Sequence, residues 1–119
     1  MSGRRQAGRG GEAWQAALRE VKEETGLEVE TLYSADVCEQ FYDAPSECIW
    51  MLPVFVAFVA ADAQVTLNRE HSAFGWYGFE EAARMVPFAG QRATLAHVEA
   101  EFVKREPTRW LLIERGLKR

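Results

Sequence analysis

Cysteine is nearly absent: Cys38 and Cys48 are the only two in 119 residues. Two cysteines cannot build a disulfide framework, and no His or Cys partners surround them at metal-ligand spacing, which excludes small disulfide scaffolds and zinc modules. Both are expected to serve as small strand hydrophobes in a reduced, cytoplasmic setting. A long unbroken apolar run is also missing. The longest, "CIWMLPVFVAFVAA", is interrupted by Pro53 and is too short to cross a bilayer comfortably as a helix. This excludes a membrane partner on that ground and favours a core strand. The N-terminal "MSGRRQAGRGG" carries positive charge with no apolar segment behind it, so it does not read as a signal peptide. There is no basic excess either: Lys and Arg number 14 against 18 Asp and Glu, for a net charge of -4. That balance removes the general argument for a nucleic-acid partner. Internal repeats and linkers are absent as well.

What is present is a chain with 48% hydrophobic and 27% charged residues, the proportions of a soluble globular protein. Its length suits one domain. Residues 1–11, rich in Gly and Arg, show no hydrophobic period and are expected to form a flexible, solvated tail. Residues 12–119 are expected to form the single domain.

Apolar residues recur at helical spacing from about Glu12 to Thr25. Trp14, Ala17, Leu18, Val21 and Thr25 make one stripe, and Gly26 stands where a left-handed cap would end the helix. Residues 31–42 read as a strand, "DAPSE" as a turn, and residues 48–60 as a second, more buried strand. "ADAQ" turns the chain, and "VTLN" resembles a short strand. "REHSAFGWYGF" reads as a loop leading into a strand around Trp76 and Tyr77. "EEAARMV" is a short helix stopped near Pro87. Residues 91–105 form a longer helix with Leu95, Val98, Phe102 and Val103 on one side, ended by Pro107. The last segment, "TRWLLIERGLKR", is a tail whose Trp110, Leu111, Leu112 and Ile113 are expected to pack. The order of elements predicts an α+β mixed domain.

The stretch "REVKEETGL", residues 19–27, concentrates the chemistry. At 3.6 residues per turn, Glu20, Glu23 and Glu24 fall within roughly a 100° arc beside the apolar stripe. Like charges at i, i+4 repel, and acids in the last helical turn oppose the helix dipole. A hard divalent cation would reverse the sign of both effects, because Mg²⁺ and Mn²⁺ take carboxylate oxygens. Arg19 is spaced to pair with Glu23 and orient it. A solvated acidic face is the alternative for such a helix.

The string itself resembles the second half of the Nudix box, G-x5-E-x7-R-E-U-x-E-E-x-G-U, with U an aliphatic residue, and matches every specified position from Arg19 to Leu27. In the first half, strict spacing puts Arg5 at the family glycine and Gly11 at the family glutamate, with Glu12 one position away. The resemblance implies a Nudix-like mixed sheet with flanking helices, an α/β/α sandwich incomplete at its N-terminal side. It also implies a metal-dependent pyrophosphohydrolase that cleaves a nucleoside or pterin di- or triphosphate. The branch that includes dihydroneopterin triphosphate pyrophosphatase and dATP pyrophosphohydrolases is the most similar. On this reading Glu20, Glu23 and Glu24 are the ligands of Mg²⁺ or Mn²⁺ and Arg19 orients them. Glu23 or Glu70 is the general base, with His71 beside it as a substrate-orienting residue. Phe41, Tyr42 and Trp50 would stack a base or pterin, or else belong to the core. A degenerate Nudix domain that binds nucleotide or protein without hydrolysis is the alternative function. Lost N-terminal strands would expose a sheet edge, so a homodimer is expected.

Overall fold

The computed structural model describes residues 12–65 and 75–115. Its elements run α1 (Ala13–Thr25), β1 (Thr31–Asp43), β2 (Cys48–Phe58), α2 (Phe79–Met85), α3 (Ala89–Val98) and β3 (Leu112–Arg115). A π-helical turn, Glu99–Val103, extends α3, and a 3-10 turn, Arg109–Leu111, precedes β3. The strands form an antiparallel sheet in the order β2-β1-β3, so β1 is central and the chain has the α+β composition expected.

Backbone contacts divide the chain into two compact units. The first takes the described parts of 1–32, 57–74 and 114–119. Its buried side chains are Val29 and Leu32, Leu32 being 2% exposed. The N–H of Glu30 donates to the Phe58 carbonyl at 2.8 Å, tying the approach to β1 to the end of β2. Helix α1 belongs here. The side-chain amide oxygen of Gln15 accepts the Glu12 N–H at 2.8 Å, and the Glu12 carboxylate takes the Trp14 indole N–H at 3.2 Å. Trp14, Ala17, Leu18, Val21 and Thr25 are all half-buried, as their common stripe requires.

The second unit comprises Tyr33–Val56 and Gly75–Ile113. Its hairpin closes through a turn in which the Glu47 N–H donates to the Ala44 carbonyl at 3.1 Å and Glu47 turns left-handed with φ 56°. Ser46 donates from Oγ to the Asp43 carboxylate at 2.5 Å and holds the turn. Phe102, 4% exposed, is buried in the π-helical turn and meets the Tyr33 ring edge-on at 5.6 Å.

Several expectations are corrected here. Cys38 and Cys48 are exposed rather than packed. The first half of β2 is open on both faces, with Ile49, Trp50, Met51 and Leu52 all exposed in succession, so it is not the more buried strand. Gly75 to Gly78 form no strand; the Tyr77 ring folds back onto Gly75, into the space a Cβ there would need. The long helix keeps Phe102 inside but leaves Val103 exposed, because the wider π turn rotates the last residues off the α-helical face. Trp110 is 81% exposed with the Arg109 guanidinium 5.1 Å from its ring centroid, and the expected tail contains β3 instead. "VTLN" after Val65, with Glu70 and His71, lies outside the described residues.

Candidate active site

Two features carry chemistry, one in each unit. In the first unit, α1 ends as a single hydrogen-bonded device. Gly26 adopts φ 73°, a left-handed conformation that costs a residue with a Cβ about 1–2 kcal/mol, and its N–H donates to the Lys22 carbonyl at 2.9 Å. Thr25 donates from Oγ1 to the Val21 carbonyl at 2.7 Å and accepts the Leu27 N–H at 3.2 Å. The last turn is therefore closed by its own residues.

This device fixes the three box glutamates on a terminated helix. Glu24, nearest the apolar stripe, is half-buried, while Glu20 and Glu23 are exposed. Lys22 is turned to Glu28, with which it forms an ion pair. The Arg19–Glu23 pair expected from i, i+4 spacing is not formed; among the described residues the other ion pairs are Arg84–Glu80 and Arg105–Glu101, both exposed. None of the three box carboxylates is neutralised by a cation among the described residues. Nor, among the described residues, does any group of three His, Cys, Asp or Glu side chains converge there as a ready-made cage.

A hard divalent cation fits the donor chemistry, since every candidate donor is a carboxylate oxygen. It does not need a closed protein cage: Mg²⁺ keeps several waters and binds through one or two carboxylates together with substrate phosphates. The one-sided acidic face of α1 supplies such an open set. Glu70 and His71, the other expected members, lie outside the described residues.

The second feature is a cleft of about 800 Å³ within the second unit, lined by residues 37–42 of β1, by Leu52 of β2, by Phe88 and by one side of α3 that includes Gln91, Thr94 and His97. One residue before that lining, β1 carries a left-handed residue. Asp36 takes φ 64°, and its N–H is directed to Ser34 Oγ at 3.2 Å. Asp tolerates this left-handed geometry better than most residues. Next to it, the carbonyl of the fully buried Ala35 accepts a 2.7 Å hydrogen bond from His97 Nε2 on α3. A carbonyl only accepts, so Nε2 carries the proton and Nδ1 of the neutral ring is an acceptor. At the other end of α3, the Gln91 amide oxygen accepts the Phe88 N–H at 3.3 Å and caps the helix. Phe41, expected as a substrate contact, lines this cleft with Tyr42; Trp50 is exposed but does not line it.

Sequence reasoning did not find His97 or Gln91. His97 is joined to Ala35 across 62 positions, and no local spacing signals that bond. Gln91 three residues after the helix boundary is a capping signal that periodicity passes over.

Comparison with known proteins agrees with the motif. The NUDIX domain model matches residues 6–105, most of the chain. A bis(5'-nucleosyl)-tetraphosphatase [asymmetrical] of Sus scrofa is 34% identical over 86 residues, covering 68% of this chain and 56% of the relative. The Mus musculus protein of the same name is 33% identical over the same shares. An octanoyltransferase of Myxococcus xanthus is 38% identical over 104 residues, 84% of this chain but 28% of that protein. The chain thus spans little more than half the length of the tetraphosphatases it matches. No solved structure matches significantly.

Proposed function

This chain belongs to the NUDIX domain family, and from that premise we propose that it is a metal-dependent pyrophosphohydrolase cleaving a phosphoric anhydride bond in a nucleoside polyphosphate. The observation that carries the reading is α1: the complete string "REVKEETGL" on a helix ended at Gly26, with its three carboxylates free of counter-cations among the described residues. The names of the Sus scrofa and Mus musculus relatives favour a dinucleoside polyphosphate over a pterin.

In this reading Glu20, Glu23 and Glu24 hold Mg²⁺ or Mn²⁺. The bound ion supplies charge neutralisation on the diphosphate and a more acidic water. Glu23, or Glu70 from outside the described residues, accepts the proton of the attacking water. With no glutamate partner among the described residues, the Arg19 guanidinium is available to a phosphate oxygen, with the fork geometry that suits one. His71 would orient the substrate. The products are a nucleoside phosphate and the remaining phosphate-bearing half. The setting is the cytoplasm. The exposed edge strand β2 makes a homodimer part of the same proposal.

A second reading has one observation in its favour. Because the described acids do not converge as a three-ligand cage, the domain could bind nucleotide or protein without hydrolysis. A panel of nucleoside triphosphates and dinucleoside polyphosphates, assayed for phosphate and pyrophosphate release with Mg²⁺, with Mn²⁺ and with EDTA, separates the two. Release that requires a divalent ion supports the hydrolase. No release above blank with any substrate leaves the binding module.

A further inference from the structure

Helix α1 ends in the simpler of two left-handed ways. In the fuller one, the N–H that follows the cap glycine returns to the helix, and the glycine N–H drops back to a nearer carbonyl. For this chain that would carry the Leu27 N–H to Lys22 and the Gly26 N–H to Glu23. Instead Gly26 donates to the Lys22 carbonyl at 2.9 Å, and the Leu27 N–H donates to Thr25 Oγ1 at 3.2 Å. The same hydroxyl gives its proton to the Val21 carbonyl at 2.7 Å. A hydroxyl has one proton to give and lone pairs to accept with, so the bond to Val21 turns an accepting side toward Leu27. Both bonds are part-buried, which limits competition from water.

The kind of ending decides where the box carboxylates stand. The Gly26–Lys22 bond has the α-helical span and keeps about 3.6 residues per turn through the end of α1. A Gly26–Glu23 bond would have the 3-10 span, and each residue so wound turns about 20° further. Glu23 and Glu24 would then rotate out of the arc of roughly 100° that they share with Glu20. Mg²⁺ demands near-octahedral geometry, so its affinity responds to such a rotation. By periodicity Thr25 is one more half-buried member of the stripe of α1, and the family motif leaves its position unspecified.

We propose that Thr25 is a positioning residue for these carboxylates. Its hydroxyl occupies the Leu27 N–H, holds the helix in the simpler ending, and thereby sets the affinity of the Glu20, Glu23 and Glu24 face for a divalent cation. It touches neither cation nor substrate. The inference rests on the metal-binding role proposed for the three glutamates and deepens it.

The test titrates Mn²⁺ alone into the whole chain, without nucleotide, and follows free Mn²⁺ by electron paramagnetic resonance. Thr25→Val keeps the branched shape and removes the hydroxyl, whereas Thr25→Ser keeps the hydroxyl. Thr25→Val should bind Mn²⁺ about three- to tenfold more weakly than the parent, and Thr25→Ser should match the parent. Thr25→Ala, with the better helix former, reports the same loss if the valine variant folds poorly. Affinity unchanged in a folded Thr25→Val or Thr25→Ala protein, or lost equally in Thr25→Ser, overturns the assignment. Glu23→Gln separates the two claims. If it weakens Mn²⁺ binding and removal of the Thr25 hydroxyl does not, only this inference falls. If Glu23→Gln binds as the parent does, or the parent binds no Mn²⁺, the metal reading falls and takes this inference with it.

Discussion

Gly26 and His97 mark the two extremes of what individual residues reveal. Gly26 was readable in advance, because a helix-stop glycine is a local signal and its φ of 73° suits a residue without a Cβ. Gly26→Ala should lower stability by about 1–2 kcal/mol in urea unfolding, with the loss concentrated at the end of α1 in hydrogen exchange. His97 was invisible, since its bond is to the Ala35 carbonyl, 62 positions away in sequence. Removing the imidazole leaves the buried Ala35 carbonyl without that donor. His97→Ala should therefore cost about 1–3 kcal/mol, read from chemical denaturation, and should also loosen the cleft. The Arg19–Glu23 pair failed for a different reason. Spacing permits an exposed ion pair, but its net gain is small enough that side-chain freedom wins.

At the scale of elements, the pattern of apolar residues and turn signals found α1, β1, β2, α2 and most of α3. It misjudged β2, where composition suggested burial but the strand edge leaves Ile49 through Leu52 uncovered. It missed β3, four residues long and too short to show a period. The π turn at Glu99–Val103 is equally illegible, since an inserted residue shifts the register without changing residue types. That shift places Phe102 against Tyr33. Phe102→Ala should cost about 3–5 kcal/mol, whereas Val103→Ala on the exposed side should fall within about 0.5 kcal/mol of the parent, both measured by denaturant midpoint.

For the whole molecule, the family was legible in nine residues and the cleft of the second unit in almost none. The box is a local string, while the cleft is assembled from β1, β2 and α3 by contacts that only folding creates. The open edge and the uncovered apolar residues of β2 predict self-association that rises with concentration in sedimentation equilibrium. Ile49→Lys should suppress it, since a charge on an edge strand blocks pairing. The central claim is that the carboxylates of α1 serve hydrolysis, and the most direct measurement compares divalent-dependent phosphate release by the chain and by Glu23→Gln at equal folded concentration. The account predicts a fall of about a hundredfold or more with unchanged folding; equal rates in the two proteins would contradict it.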